Sequence, residues 1–176
     1  GRVGLMDSDE YKKYKEQDYS MNAYVGKDGL EKSFESYLHG TDGIRLTTVT
    51  SNGEVVDEHY AVEPKAGNNV ELTIDIDLQA VAEKALESCI LDLRENGVGK
   101  DGEGKDAEGG AAVVMSVKTG EVLASASYPT FNLATYTEDF NKLNADETAP
   151  LYNRALSAIY PPGSIYKMVT AIATID

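Results

Sequence analysis

The 176-residue sequence predicts two unlike halves: an α+β unit over residues 1–69, then an α/β unit, an antiparallel sheet with helices, over 70–176. Three observations predict this. Asn52-Gly53 separates two runs rich in β-branched residues, the signature of a hairpin, and follows two short helical patterns. A polar connector, 64–69, comes next. Beyond it one long apolar stripe at helical spacing runs from Leu78 to Leu93, and two strand-like runs follow at 111–117 and 121–127.

In the first unit Ser8 is placed to cap a short helix, with Asp9 and Glu10 in a first turn where acidic groups suit the helix dipole. Leu30, Phe34, Tyr37 and Leu38 recur at spacings of three and four, which predicts a second helix over 30–38 that stops at Gly40. Residues 44–51 and 54–62 form the hairpin. Asn-Gly between them predicts a type I′ turn, which needs two positive-φ residues.

The second unit opens with a predicted strand, 70–74, and Asp75 as helix cap. Leu78, Val81, Ala82, Ala85, Leu86, Cys89, Ile90 and Leu93 form one stripe, ended by Gly97. Cys89, the only cysteine, falls on that stripe and reads as a packed residue, and no internal disulfide can form. The segment 97–110 is charged, holds six glycines and reads as a flexible surface loop. The two strands after it turn at Lys118-Thr119-Gly120, and their near-continuous apolar character predicts a sheet covered on both faces. A long connection, 129–150, contains a short helix around 136–143. Pro161-Pro162-Gly163 then feeds a helix starting at Ser164, apolar on nearly all sides and hence expected to be enclosed.

Charge and length exclude several functions. The net charge is 16 − 30 = −14, so nucleic acid and anionic lipid surfaces are repelled. No apolar run approaches the roughly 18–20 residues that span a bilayer, and no signal peptide is visible. His39 and His59 stand apart from any metal-ligand pattern and read as surface residues. The glycines of 97–110 lack the Gly-Lys-Ser/Thr of a phosphate loop. The chain lacks an initial Met and ends within an apolar helical pattern, and it is expected to be the N-terminal part of a longer protein.

Ser164-Ile165-Tyr166-Lys167 is the constellation that can carry chemistry. On a helix, residues i and i+3 share a face, which brings a hydroxyl and an amine within reach of one another. Serine is a weak nucleophile until a neighbouring base takes its proton. Burial and the positive end of a helix both disfavour the charged form of an amine, and thereby make it a base. The first-turn N–H of Ser164 would supply half of an oxyanion hole. Ser-x-x-Lys alone is a common string whose plain reading is a cap serine and a surface lysine. The preceding Pro-Pro-Gly and the apolar helix distinguish this instance.

The surrounding residues carry a family resemblance. Tyr160-Pro-Pro-Gly-Ser-Ile-Tyr-Lys167 closely resembles the nucleophile motif of class B penicillin-binding proteins, and Asn153-Arg154-Ala155 stands where that family has the same triplet. Gly110-Ala-Ala-Val-Val-Met115 and Thr119-Gly-Glu-Val-Leu-Ala124 look like the hairpin before the nucleophile helix. Leu72-Thr-Ile-Asp75 with Leu78-Gln79 looks like the opening of the transpeptidase domain. Gly26-Lys-Asp-Gly-Leu-Glu-Lys32, Glu35 and Leu38-His-Gly40 resemble the N-terminal pedestal. Tyr128-Pro-Thr-Phe131 and the stretch to Pro150-Leu-Tyr-Asn153 look most like the cell-elongation type. Ile165 departs from the threonine usual in the family, a change of packing rather than of chemistry. The strings Ser20-Met21-Asn22 and Lys118-Thr119-Gly120 mimic the family's S-x-N and K-T-G motifs, but both precede the nucleophile and are coincidences.

The resemblance implies a pedestal of the dimerisation type, 1–69, holding a penicillin-binding transpeptidase domain whose N-terminal part is 70–176. It implies a peptidoglycan D,D-transpeptidase anchored in the bacterial membrane and working on its extracytoplasmic face, with Ser164 as nucleophile and Lys167 as base. Its partners would be D-Ala-D-Ala stem peptides, β-lactams and other cell-wall synthesis proteins, with no metal or organic cofactor. A serine β-lactamase or β-lactam sensor, sharing Ser-x-x-Lys, and a non-catalytic pedestal module remain as alternatives. The 176-residue chain alone is expected to be inactive and to self-associate through 111–176, or to be poorly ordered there.

Overall fold

The computed structural model describes residues 1–17 and 19–175. The chain forms two compact units, Gly1–Leu72 and Thr73–Asp176.

In the first unit β1 (Arg2–Leu5) pairs antiparallel with β2 (Tyr24–Asp28), and α1 (Ser8–Tyr14) lies between them in sequence. Asp7, not Ser8, caps α1. Its carboxylate accepts the N–H groups of Asp9 (2.9 Å) and Glu10 (2.8 Å), while Glu10 Oε2 accepts the N–H of Asp7 (2.9 Å). An aspartate with glutamate three residues on closes this reciprocal box, which Ser8 has no such glutamate to form.

The core of this unit is Tyr14, Tyr19, Ala23 and Val25, with Met6 against them. The rings of Tyr14 and Tyr19 stack at 4.9 Å, and Tyr19 stacks on His39 at 3.9 Å. His39 is therefore half-buried rather than a free surface residue. It stands 3.1 Å from the buried carboxylate of Glu35, which also accepts the N–H of Gly26 (2.6 Å). Burial first, and then Glu35 beside it, push the Tyr19 phenol up to about 12.

Residues 30–38 do not form one helix. They split into α2 (Gly29–Ser33) and α3 (Glu35–Leu38) at Phe34, whose φ of −109° and ψ of 17° leave the helical region. The break turns Glu35 inward, and Leu30, Phe34 and Tyr37 are left 41–50% exposed. Gly26 is required where α2 crosses β2, because a Cβ there would overlap the backbone of Glu31.

The hairpin pairs β3 (Ile44–Val49) with β4 (Val55–Val62), both strands exposed along their length. Its turn is not type I′. The N–H of Thr50 donates to the Glu54 carbonyl (2.8 Å), leaving Ser51, Asn52 and Gly53 as a three-residue loop. Such a loop needs one left-handed residue, and Gly53 (φ 85°) supplies it.

The second unit is built on α4 (Ile76–Asn96) packed against the antiparallel pair β5 (Gly110–Met115) and β6 (Val122–Tyr128). Asp75 caps α4 by accepting the N–H groups of Asp77 and Leu78, both at 3.0 Å, and Gly97 (φ 71°) ends it. Residues 70–74 do not form a strand. They make single bonds instead: Thr73 Oγ1 donates to the Val122 carbonyl (2.6 Å), and the N–H of Asp75 donates to that of Leu123 (2.9 Å). The cap at Asp75 turns the chain into α4 before a ladder can form.

The buried stripe of α4 is narrower than its apolar sequence. Leu78, Ala82, Leu86, Ile90 and Leu93 turn inward, while Val81, Ala85 and Cys89 are exposed. A two-stranded sheet offers a helix one line of contact, and Cys89 lies outside it. The sheet is likewise covered on one face among the described residues: Ala124 and Ala126 are buried, whereas Val113 and Met115 are more than half exposed. The 97–110 loop is organised by a bridge in which Val98 and Glu103 exchange N–H···O bonds of 2.7 and 3.1 Å. Lys118-Thr119-Gly120 is the β5–β6 turn, with Gly120 at φ 79°.

Neighbouring substitutions separate the two sides of α4. Ile90→Ala is expected to lower unfolding stability by about 2–5 kcal/mol, and Cys89→Ala by less than about 0.5 kcal/mol, in urea titrations. Equal losses at both positions would show that the buried side is not the one described.

Candidate active site

After β6 the chain runs through α5 (Tyr136–Ala145) into a turn at Asp146. The Asp146 carboxylate accepts both the hydroxyl (2.6 Å) and the N–H (2.9 Å) of Thr148, and these bonds hold its carboxyl below the usual aspartate range. Ala149 follows with φ 47°, an uncommon left-handed conformation for a residue other than glycine. Pro150 is buried.

Asn153 caps α6 (Arg154–Ser157) by accepting the N–H of Leu156 (3.1 Å). Arg154 then gathers several strands of chain. Its Nη2 donates to the Thr148 carbonyl (2.7 Å), its Nη1 to that of Ala149 (3.2 Å), and its backbone N–H to Ser127 Oγ on β6 (3.0 Å). The guanidinium stands 5.9 Å from the centre of the Tyr152 ring, whose hydroxyl donates to the Ser157 carbonyl (2.6 Å). Sequence reasoning gave these residues no role. The Asn153-Arg154-Ala155 triplet was their only signal.

Ser164 lies in a 3₁₀ turn, Gly163–Tyr166, rather than at the start of the α-helix, and α7 begins at Lys167 (Lys167–Ile175). The N–H of Lys167 donates to the Ser164 carbonyl, the i→i+3 bond that defines this turn. Side chains three apart eclipse one another in 3₁₀ geometry, so Ser164 and Lys167 share a face more closely than in an α-helix. Gly163 carries the positive φ (55°) that admits the chain from Pro162 into the turn.

The enclosure expected of this helix is not seen. Residues 159–174 are all exposed, with Met168 at 75% and Ile172 at 66%. The described residues place no layer over α7, so Lys167 is an exposed side chain. The spacing of serine and lysine stands, and the enclosure expected of this helix is an expectation for the intact domain. Among the described residues no group of His, Cys, Asp and Glu is arranged to hold a metal ion.

Two protein-family descriptions match in order: the penicillin-binding protein dimerisation domain over residues 1–72 and the penicillin-binding protein transpeptidase domain over 110–176. The chain belongs to the class B penicillin-binding proteins of the cell-elongation type. It is 31% identical over 98% of its length to the peptidoglycan D,D-transpeptidase MrdA of Acinetobacter baumannii, and covers 24% of that protein. It is similar, with a TM-score of 0.80 and 36% identity over 98% of the chain, to a chain of a peptidoglycan synthase complex, covering 30% of that chain. It is also similar to the penicillin-binding protein PBP2 solved with MreC from Helicobacter pylori, at a TM-score of 0.73 and 30% identity over 99% of the chain and 30% of that chain. The chain spans about a quarter of the length of the curated relatives it matches. In this penicillin-binding protein the first family match ends at residue 72, where the first compact unit also ends.

Because the Asp146 carboxyl is held low, its bonds to Thr148 persist above the usual aspartate range and fail only as pH falls through the lowered value. The Thr148 amide resonance should titrate with a midpoint below that of an unstructured aspartate. A midpoint at or above the unstructured one would contradict the turn described.

Proposed function

We propose that this chain is part of a peptidoglycan D,D-transpeptidase acting by serine acyl transfer. The observation that carries the reading is Ser164 in a 3₁₀ turn behind Pro-Pro-Gly with Lys167 at i+3, inside a segment matching the transpeptidase domain. Ser164 Oγ attacks the carbonyl carbon of the penultimate D-Ala of a stem peptide, and Lys167 Nζ takes the hydroxyl proton. Collapse of the tetrahedral adduct breaks the D-Ala-D-Ala amide bond, and the departing amine receives that proton. An amine of a neighbouring stem attacks the ester, passes its proton to the base and restores Ser164. A β-lactam carbonyl offers the same serine an amide that opens without leaving, so the acyl-enzyme persists. The residues require no metal or organic cofactor for these steps.

The dimerisation-type unit at residues 1–72 favours this reading over a β-lactamase or β-lactam sensor. The work would take place on the extracytoplasmic face of the membrane, beside other cell-wall synthesis proteins; one structural neighbour belongs to a peptidoglycan synthase complex and another was solved with MreC. No helix among the described residues is long and apolar enough to cross a membrane. The exposed α7 supports a subsidiary proposal: the 176-residue chain by itself is inactive and either self-associates through 111–176 or is poorly ordered there.

In the full-length protein, labelled penicillin should form its covalent adduct on Ser164, located by peptide mass spectrometry. An adduct on any other serine would overturn the assignment. Lys167→Met should slow acylation by about 10²- to 10⁴-fold, the range for a lost general base. An unchanged rate would leave Lys167 without a catalytic role.

A further inference from the structure

We infer that Arg154 is the positioning residue that aims Ser164, with α6 as the rigid link between them; the inference rests on the reading of Ser164 as nucleophile. A helix of four residues cannot stand by itself, since nucleating a turn is unfavourable and one turn returns little. α6 is held instead from three sides: Asn153 caps its start, the Tyr152 hydroxyl binds the Ser157 carbonyl at its end, and Arg154 ties it to the neighbouring chain.

Arg154 is suited to that task by its fork. Two of its nitrogens reach two successive carbonyls, Thr148 and Ala149, and its own backbone N–H reaches Ser127 on β6. The left-handed Ala149 is a conformation that persists only where surroundings determine it, and its carbonyl accepts a hydrogen bond from the guanidinium. Gly109, just before β5, leaves room for this packing: a Cβ there would come within 2.7 Å of Arg154 Nε. The guanidinium thus ties α6 to the Asp146 turn, while the backbone N–H of Arg154, which any residue there would keep, ties α6 to the sheet.

From α6 to Ser164 the link is stiff. Each proline of Pro161-Pro162 fixes its own φ and drives the preceding residue toward extended backbone, so Tyr160 to Pro162 has few conformations. Among the described residues no side chain from 159 to 174 is buried, so within them the 3₁₀ turn is joined to the sheet only through the backbone that leaves α6. A nucleophile displaced by about 1 Å can lose about 10²-fold in rate while the substrate still binds.

The test uses the full-length protein with Arg154→Ala, Arg154→Lys and Tyr152→Phe, read by hydrogen exchange over residues 156–166 and by penicillin acylation resolved into binding and rate constants. For Arg154→Ala, exchange over 156–166 should accelerate, and the acylation rate constant should fall about tenfold to hundredfold with the binding constant changed less than about twofold. Arg154→Lys keeps the charge but not the fork, and should restore only a minor part of the rate. Tyr152→Phe keeps the ring and loses one bond, so it should shift both readouts in the same direction by less, and it decides the matter if the Arg154 variants do not fold. Unchanged exchange, an unchanged rate constant, or full rescue by lysine would each overturn the inference. If wild-type protein is acylated elsewhere than Ser164, the functional reading fails first and this inference falls with it, an outcome told apart from the others because no variant is needed to see it.

Discussion

In the second unit the decisive constraint is the need to satisfy β6 from both of its ends and along its free edge. β5 pairs one edge of β6, and an unpaired edge of a two-stranded sheet exposes a row of N–H and C=O groups. Three residues ahead of and within α4 meet that row without forming a strand. Thr73 and Asp75 bond to the carbonyls of Val122 and Leu123, and the Gln79 amide then both donates to Ser125 (3.0 Å) and accepts from it (2.7 Å). A side-chain amide has the same donor and acceptor as a peptide unit, so Gln79 continues the ladder from a helix. This fixes α4 lengthwise on the sheet and allows Ile90 to be buried over Gly110, where an added Cβ would press within 3.3 Å of the Ile90 and Leu86 side chains. At the far end of β6, Ser127 accepts Arg154, and the route to Ser164 begins there.

A carboxylate plays the corresponding part in the first unit. Glu35 is 7% exposed, and a buried carboxylate is tolerated only where donors surround it. The Gly26 N–H on β2, His39 at the end of α3 and the Tyr19 phenol in the core are brought together around it. That requirement accounts for the break at Phe34 and for the stacking of Tyr19 on His39.

What the sequence made legible follows from the range of the physics involved. Local signals held: the long α4 with its Asp75 cap and Gly97 stop, the β5–β6 hairpin, and the short helix at 136. Errors came where a contact distant in sequence decided a local choice. The apolar spacing of Leu30, Phe34, Tyr37 and Leu38 fits a helix, but the carboxylate between them is what the core takes, because its partner at Gly26 is not visible in a helical pattern. Val70 to Ile74 has strand-like composition, yet helix capping at Asp75 wins over pairing. Asn52-Gly53 implied two left-handed residues, whereas the pairing of Thr50 with Glu54 requires one. At the candidate site, the roles proposed for Ser164 and Lys167 rest on spacing and on family resemblance. Arg154 was not legible, since its role is written in backbone carbonyls that carry no residue-specific signal.

The charge pattern gives this site a further physical character. The chain carries −14 overall, but the 28 residues from Thr148 to Ile175 include no Asp or Glu, and Arg154 and Lys167 are their only charged side chains. Arg154 spends its positive charge on carbonyl oxygens of the chain itself. Lys167 shares its face with Ser164. A stem peptide ends in a carboxylate, which the acidic remainder of the chain repels and this segment does not. An acid-free, net-positive stretch inside an acidic chain therefore favours the approach of the anionic end of the proposed substrate.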